Sequence, residues 1–225
     1  MTEEKRKIVV PGETIVEGDD YLPGENTEKR NNKVISIKYG LAEEVQGLVK
    51  VIPLSGTYLP RRGNVIIGRV ENVLFNGWIL DIKSTSNGFL SVAEYPRYLD
   101  KNSLDEAMDI GDLAVVKIYS INKRGVDLTL KSRGLGKIDE GVIIEVNPNK
   151  VPRIIGKEGS MVGLIKEKTG CNITVGQNGI IWIQGENIEG ELLARKAVEF
   201  VAANSFISGL TEKVEKWFEE NGGKK

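Results

Sequence analysis

The stretch "IIGKEGSM", residues 154–161, places two glycines three positions apart with Lys157 between them. A glycine-rich loop with a lysine is typical of backbone that approaches a phosphate group closely. A nucleoside-triphosphate loop needs the pattern Gly-x-x-x-x-Gly-Lys-Ser/Thr, but Val151 stands at its first glycine and Glu158 follows the lysine. The stretch therefore favours a Gly-x-x-Gly loop between two short helices, which contacts single-stranded nucleic acid. A plain helix–helix turn is the alternative.

Hydrophobic periodicity and turn signals predict the order β-α-loop-α-β-β-α for residues 137–225. The segments that carry this order are the strand "GVIIEV", a short helix in "PNKVPRII", the helix "SMVGLIKEKTG", the strands "CNITVG" and "GIIWIQG", and the helix "NIEGELLARKAVEFVAANS". The residues Gln177-Asn178-Gly179 predict the turn between the last two strands. An apolar stripe of Leu210, Val214, Trp217 and Phe218 predicts a C-terminal amphipathic helix, which packs on its own domain or docks a partner.

Residues 137–225 resemble a KH domain of the type that begins with a strand and ends with a helix. The resemblance implies that the loop clamps an RNA backbone. Its glycines would let the sugar-phosphate approach, and the next helix would present unpaired N–H groups. Lys157 adds a positive charge, which the acidic Glu158 weakens. The RNA-binding residues implied in this loop are Arg153, Ile154, Ile155, Gly156, Lys157, Glu158, Gly159 and Ser160.

Residues 61–134 carry longer strands with glycines at their bends. The strands are "NVIIGRVENVLF", "GWILDI", "GFLSVAEY", "LAVVKIYSIN" and "VDLTLKS". Five strands in so short a segment predict a small closed barrel. A glycine-punctuated junction, residues 133–141, leads from it into the KH-like segment.

Residues 62–132 resemble an S1-type RNA-binding domain of the OB-fold class. Such barrels bind single strands with stacking aromatic rings and a basic groove. The candidates implied are Phe75 and Trp78 for base stacking and Arg97, Lys123 and Arg124 for phosphate contact. Each aromatic has a position in the core as its alternative. Ser91 stands where many such domains have an aromatic residue or histidine, which favours electrostatic, sequence-tolerant contact.

The composition excludes several kinds of site. The 225 residues include 31 Lys and Arg against 32 Asp and Glu, a net charge of −1, so nucleic-acid binding depends on local patches. The absence of histidine excludes histidine-based triads, general bases and metal ligands. Cys171 alone forms neither a zinc ribbon nor an intramolecular disulfide. We therefore expect no catalytic residue, no metal site and no cofactor.

The sequence also predicts the environment of the chain. A single cysteine fits a reducing compartment. No stretch approaches the ~20 apolar residues of a membrane span, and the first residues lack the apolar core of a signal peptide. We therefore expect a soluble cytoplasmic protein without a membrane partner.

Residues 1–60 contain short strands separated by tight turns. The segments "IVVPGE", "YLPGENTEKRNNKVISIKYG" and "VKVIPLSGTYLPRRGNVIIGRV" resemble the N-terminal domain of the RNA-binding cap subunits of the archaeal exosome. The order of small β domain, S1-type barrel and KH domain is similar to that of the KH-bearing cap subunits over essentially the whole chain. The sister cap subunit carries a zinc ribbon, which one cysteine cannot form. Asn26 departs from the family's glycine, but asparagine tolerates the left-handed conformation.

This resemblance implies a non-catalytic subunit of a 3′→5′ exoribonuclease complex. Three copies would sit on a hexameric ring of RNase PH-like phosphorolytic subunits, docked through residues 1–60, with the barrels around the pore. The chain would capture single-stranded RNA and guide its 3′ end into the pore for degradation or processing. A free-standing S1/KH RNA-binding regulator and a scaffold that mainly connects proteins remain alternatives.

Overall fold

The computed structural model describes residues 7–99, 104–205, 207 and 209–221. It divides into two compact units, Met1–Gly56 and Thr57–Lys225. The first unit ends ahead of residue 60, where the sequence predicts the end of the N-terminal domain. Among the helices of the described residues, none is both long enough and apolar enough to cross a membrane.

The first unit consists of two small sheets of short strands. Its strands are β1 (Lys7–Val9), β2 (Thr14–Glu17), β3 (Leu22–Pro23), β4 (Thr27–Arg30), β5 (Lys33–Ser36), β6 (Gly40–Val45) and β7 (Leu48–Pro53). One sheet has the order β1-β6-β7-β3 and the other β2-β5-β4. A buried cluster consists of Val9 on β1, Ala42 on β6 and Val51 on β7. Asn26 adopts a φ of 60°, the left-handed conformation expected there, and its Nδ2 donates to the Val51 carbonyl at 2.9 Å.

The second unit begins with a closed barrel, as the sequence predicts. Its elements are β8 (Val65–Leu74), β9 (Gly77–Asp81), β10 (Gly88–Ser91), a 3-10 turn (Val92–Glu94), α1 (Leu104–Ala107), β11 (Leu113–Asn122), β12 (Gly125–Thr129) and β13 (Gly136–Ile138). The strands run in the order β12-β10-β9-β8-β11-β13, and an additional β11–β12 pairing closes β8 to β12 into a barrel. Alternate residues of these strands, among them Leu80, Leu90 and Leu128, fill the interior.

The interval predicted as a junction, residues 133–141, contains a strand. This strand, β13, pairs with β11 from Leu113 opposite Ile138 to Val115 opposite Gly136. An ion pair between Lys137 Nζ and Asp112 Oδ2, 2.6 Å apart, fastens it. The chain therefore extends the barrel sheet before it enters the KH segment.

The remaining elements have the KH order predicted from the sequence. They are β14 (Val142–Glu145), a 3-10 turn (Pro148–Lys150), α2 (Val151–Ile155), a 3-10 turn (Lys157–Gly159), α3 (Ser160–Thr169), β15 (Asn172–Val175), β16 (Ile180–Gln184), α4 (Ile188–Ala203) and α5 (Leu210–Asn221). The antiparallel sheet has the order β14-β16-β15. Helix α5 packs on its own domain through Leu210, Val214 and Phe218, and Trp217 stacks 5.6 Å from Phe200. The own-domain alternative for this helix is therefore the one observed.

The turn between β15 and β16 holds the KH sheet against the barrel. Asn178 is buried, and its Nδ2 donates to the carbonyls of Ile67 at 2.7 Å and Ile82 at 3.1 Å. The Gln177 Oε1 accepts from the Val65 amide at 2.9 Å, and the Gln177 amide donates to the Val65 carbonyl at 2.9 Å. Barrel and KH segment thus form one unit, joined by buried polar contacts that need their partners.

Candidate nucleic-acid interface

The Gly-x-x-Gly loop connects α2 to α3 through two glycines with positive φ, of which Gly159 is in the left-handed helical conformation. Gly156 has a φ of 75°, and a Cβ there would lie 2.7 Å from the Met161 amide nitrogen and 2.8 Å from its Cβ. Gly159 has a φ of 82° with open space around it, and no side chain caps the α3 N-terminus that it precedes. The Ser160 amide, the first of α3, donates to the Lys157 carbonyl. The N–H groups that follow it in the first turn have no side-chain cap and can face an anion such as a phosphate.

The charges of Lys157 and Glu158 at the tip of this loop cancel each other. Arg153, Lys157 and Ser160 are exposed, as the RNA-contact prediction requires, but Glu158 is exposed beside them. Among the described residues, neither Lys157 nor Glu158 forms an ion pair. Glu158 holds a φ of 54°, which is uncommon for a residue other than glycine. The tip of the loop therefore carries no net charge, and Arg153 on α2 supplies an excess positive charge beside the uncapped α3 N-terminus.

The two isoleucines before the loop occupy different environments. Ile154 is fully buried in the KH core with Ile165 and Ile181. Its predicted role as an RNA contact is therefore wrong, because a side chain without exposed surface cannot touch a ligand. Ile155 is half-buried and stays a candidate.

The outer face of the barrel presents a row of side chains across three strands. The residues that alternate with the buried core point outward, so that Ile79 on β9 lies opposite Phe89 on β10, and Phe89 lies beside Asp127 on β12. All three are partly exposed. The face therefore combines apolar and aromatic surface with one carboxylate.

Two loops bracket this face at opposite ends of β9. The β8–β9 turn carries Phe75, which is 79% exposed. The β11–β12 turn carries Lys123 and Arg124, both exposed, next to Gly125, which begins β12. Because β9 has five residues, the two turns lie roughly 13 Å apart along the strand. A single strand that crossed the face would meet an aromatic ring at one end and two cations at the other.

Trp78 belongs to the core and not to this face. It is fully buried, its Nε1 donates to the Met108 carbonyl at 2.8 Å, and its ring lies 5.7 Å from that of Tyr95. The prediction of base stacking is therefore wrong for Trp78, and its core alternative holds. Arg97 is exposed beyond the 3-10 turn that follows β10, and no described contact ties it to the face.

An open groove of about 690 Å³ lies at the cationic end of the face. Its walls include Phe89, Asn87, Asn122, Lys123, Arg124 and Asp127. Asn122 organises the wall, because its Oδ1 accepts from the Arg124 amide at 2.7 Å and its Nδ2 donates to Asp127 Oδ2 at 2.7 Å. The groove brings the predicted Lys123 and Arg124 together with an aromatic ring that the sequence reasoning missed. The alternation in "GFLS", where Gly88 and Leu90 face inward, could have identified Phe89 as outward-facing.

Two carboxylates, Asp127 on this face and Glu94 in the 3-10 turn after β10, act on Tyr119 of β11. Partial burial raises the pKa of Tyr119 above its ordinary value, and the carboxylates of Asp127 and Glu94 raise it further. In the part of the chain that the structure describes, no three acidic or cysteine side chains come together as metal ligands. The face is therefore a mixed-charge surface whose cations are concentrated in the β11–β12 turn.

Comparisons with known proteins cover both the loop and the rest of the chain. A family model described as a KH domain matches residues 141–189. Exosome complex component Rrp4 of Methanobrevibacter smithii is 39% identical over 213 residues, which are 94% of this chain and 70% of that protein. Rrp4 of Nitrosopumilus maritimus is 36% identical over 225 residues, which are 97% of this chain and 98% of that protein. The chain belongs to the Rrp4 family.

A solved structure agrees with membership of the Rrp4 family. It is described as an exosome complex RNA-binding protein, is 34% identical, and superposes with a TM-score of 0.66 over 73% of this chain and 97% of its own. The resemblance to the KH-bearing exosome cap subunits is thereby confirmed. The individual RNA contacts at Phe75, Lys123, Arg124 and the Gly-x-x-Gly loop stay predictions.

Proposed function

We propose that this chain is a non-catalytic, RNA-binding cap subunit of an exosome in the cytoplasm. It captures single-stranded RNA and guides the 3′ end into the pore of a ring of RNase PH-like subunits, with three copies on each ring. Other chains of the complex cleave the RNA. Membership of a family named for exosome components supports this assignment.

The barrel face of Ile79, Phe89 and Asp127, with the turns at its two ends, is the observation that supports the RNA-binding role. Single-stranded nucleic acid is bound by cationic grooves with aromatic rings on which bases stack. Phe89 supplies a partly exposed ring, and Lys123 and Arg124 supply exposed cations in the same groove. Phosphate contacts of this kind carry no base information, so they suit a subunit that feeds many different RNAs forward.

The outer side of the β1-β6-β7 sheet supports docking of the first unit on proteins. Ile8 lies opposite Leu41, which lies opposite Ile52, so one row across the sheet is apolar. Ile8 is 57% exposed and Ile52 is 41% exposed. Contiguous apolar surface on a soluble domain commonly marks a protein interface. This row is the surface that we assign to the ring.

The RNA assignment is tested by the salt dependence of binding. Each phosphate contact on a single strand contributes about −0.7 to the slope of log K against log salt. Lys123→Ala with Arg124→Ala should therefore make the slope shallower by about 1.4. Lys213→Ala with Lys216→Ala, two exposed lysines of α5, is the matched control and should leave the slope unchanged. An unaltered slope in the first variant would remove both cations from the RNA contact.

The docking assignment is tested by co-elution of the full chain with the ring subunits. Ile52→Lys places a charge in the apolar row and should abolish co-elution while RNA binding persists. Leu192→Lys, at an apolar position of α4 that is 46% exposed, is the control and should co-elute normally. Normal co-elution of the Ile52 variant would place the docking surface elsewhere.

A further inference from the structure

The groove contains a carboxylate at a place where an RNA chain would pass. Asp127 on β12 is partly exposed, and its Oδ2 accepts one hydrogen bond, from Asn122. Among the described residues, no cation pairs with it, although Lys123 and Arg124 line the same groove. A carboxylate repels a phosphate and offers only hydrogen-bond acceptors. Its natural partner in this groove is therefore the donor edge of a base.

The position of Asp127 beside Phe89 fits a base-edge contact. The two residues are direct partners in the parallel β10–β12 pair, and neighbouring strands lie about 4.8 Å apart. Their side chains consequently leave the sheet on the same side, next to each other. A base stacked on the Phe89 ring would have its edge within reach of the Asp127 carboxylate.

The chemistry of the four bases then selects one of them. The pairing edge of guanine carries two adjacent donors, N1–H and the N2 amino group, which match the two oxygens of a carboxylate. Adenine and cytosine offer one exocyclic amino group at this edge, and uracil offers a single N3–H between two carbonyls. Asn122 fixes the orientation of the carboxylate. Lys123 and Arg124, which form no ion pair among the described residues, can contact the flanking phosphates.

We propose that Phe89 and Asp127 form a guanine-binding subsite on the barrel. This inference rests on the proposed RNA-binding function and adds a base preference to it. Phe89 stacks on the guanine, and Asp127 accepts from its N1–H and N2 amino groups. The barrel then holds a guanine in preference to other bases while the phosphate contacts accept any sequence.

The test uses the full chain and oligouridines of about ten nucleotides with one central position varied. Guanosine at that position should bind about tenfold more tightly than uridine, because a bidentate contact favours the matching base over the others. Inosine, which lacks the N2 amino group, should bind with intermediate affinity. Equal affinities for the guanosine and uridine oligonucleotides would overturn the subsite and leave the proposed function standing. Failure of every oligonucleotide to bind would overturn both.

Variants separate the base contact from general charge effects. Asp127→Asn replaces one acceptor by a donor and should abolish the preference for guanosine, while the uridine oligonucleotide still binds. Asp127→Ala repeats this test with a different side chain, and circular dichroism verifies the fold of each. Glu71→Gln removes a charge from the rim, where Glu71 accepts from Asn87 at 2.6 Å, and should change the affinity for every oligonucleotide equally. A guanosine preference that survives in both Asp127 variants would overturn the proposal.

Discussion

The barrel face and the KH loop offer RNA two different kinds of contact. The barrel combines the Phe89 ring with the cations Lys123 and Arg124 in one groove. The loop offers the uncapped N-terminus of α3 and Lys157, whose charge Glu158 offsets. Base stacking is worth about 1–3 kcal/mol per base, whereas exposed charges are screened over ~8 Å at physiological salt. We therefore expect the barrel to supply most of the affinity and the loop a weaker, salt-sensitive contact.

The largest effect we expect concerns the glycine that shapes the barrel face. A Cβ on Gly77, which has a φ of 153°, would lie 2.1 Å from the Leu90 carbonyl oxygen, so Gly77→Ala must push β9 and β10 apart. The free energy of unfolding in urea should fall by about 3 kcal/mol or more. Gly111→Ala is the control, since its φ is 95° but no atom lies near the new Cβ. It should cost only about 1–2 kcal/mol of backbone strain. Equal losses would mean that β9 and β10 relax freely.

The next effect tests whether the barrel dominates RNA binding. Phe89→Ala removes the stacking ring and should weaken binding of single-stranded RNA about 5- to 150-fold, which corresponds to ~1–3 kcal/mol. Tyr39→Ala in the first unit, where the ring is 43% exposed, is the matched control and should bind normally. Binding that survives Phe89→Ala but is lost in Gly159→Asp, where the new side chain meets open space, would reverse the ranking of the two regions.

The two regions differ in how much of them the sequence predicts. The KH loop is local: its glycine spacing and flanking helices are visible in one continuous stretch, and the structure has them where the pattern predicts. The barrel face is assembled from residues far apart in the chain, such as Phe89 and Asp127, and only strand register brings these together. The sequence predicts the strands and the Lys123-Arg124 turn but cannot predict which side chains share the groove.

The wrong predictions at Trp78 and Ile154 and the missed strand β13 each have a physical cause. Trp78 and Leu80 are separated by two positions and therefore face the same side of β9, which is the core side. That period could have placed Trp78 inside. Ile154 lies on the face of α2 that packs on the KH core, a choice that a helix of five residues is too short to reveal by periodicity. The three residues of β13 are likewise too few to show an alternation.

A smaller effect is expected from the acidic residue of the KH loop. Glu158→Gln removes the charge that opposes Lys157, so RNA affinity should rise about twofold at low salt and be unchanged at high salt. Glu167→Gln, an exposed position further along α3, is the control and should have less effect. An affinity that stays constant at low salt would show that RNA does not approach the loop, and the KH domain would then serve the barrel only as a support.

The smallest effect concerns the ion pair that fastens β13 between barrel and KH domain. Partial burial of Asp112 opposes its ionisation, but hydrogen bonds from Lys137 Nζ and the Asp109 amide bring its pKa below the ordinary 3.8. The hydrogen bond to Asp112 raises the pKa of Lys137 above its ordinary 10.5. Because folding lowers the pKa of Asp112, the ionised carboxylate stabilises the folded state. This contribution to the free energy of unfolding is complete above pH 3.8 and is lost as the pH falls through the lowered pKa.

The native chain should lose part of its free energy of unfolding between neutral and acidic pH as Asp112 is protonated. In Asp112→Asn this loss should be smaller by less than about 1 kcal/mol, since both side chains of the ion pair are partly solvated. Thermal unfolding followed between neutral and acidic pH measures this change. Asp105→Asn, at an exposed carboxylate of α1, is the control, and its stability should depend on pH as that of the native chain does. If the Asp112 variant also keeps the native slope, strand pairing with β11 alone holds β13, and the fastening between barrel and KH domain lies in Gln177 and Asn178.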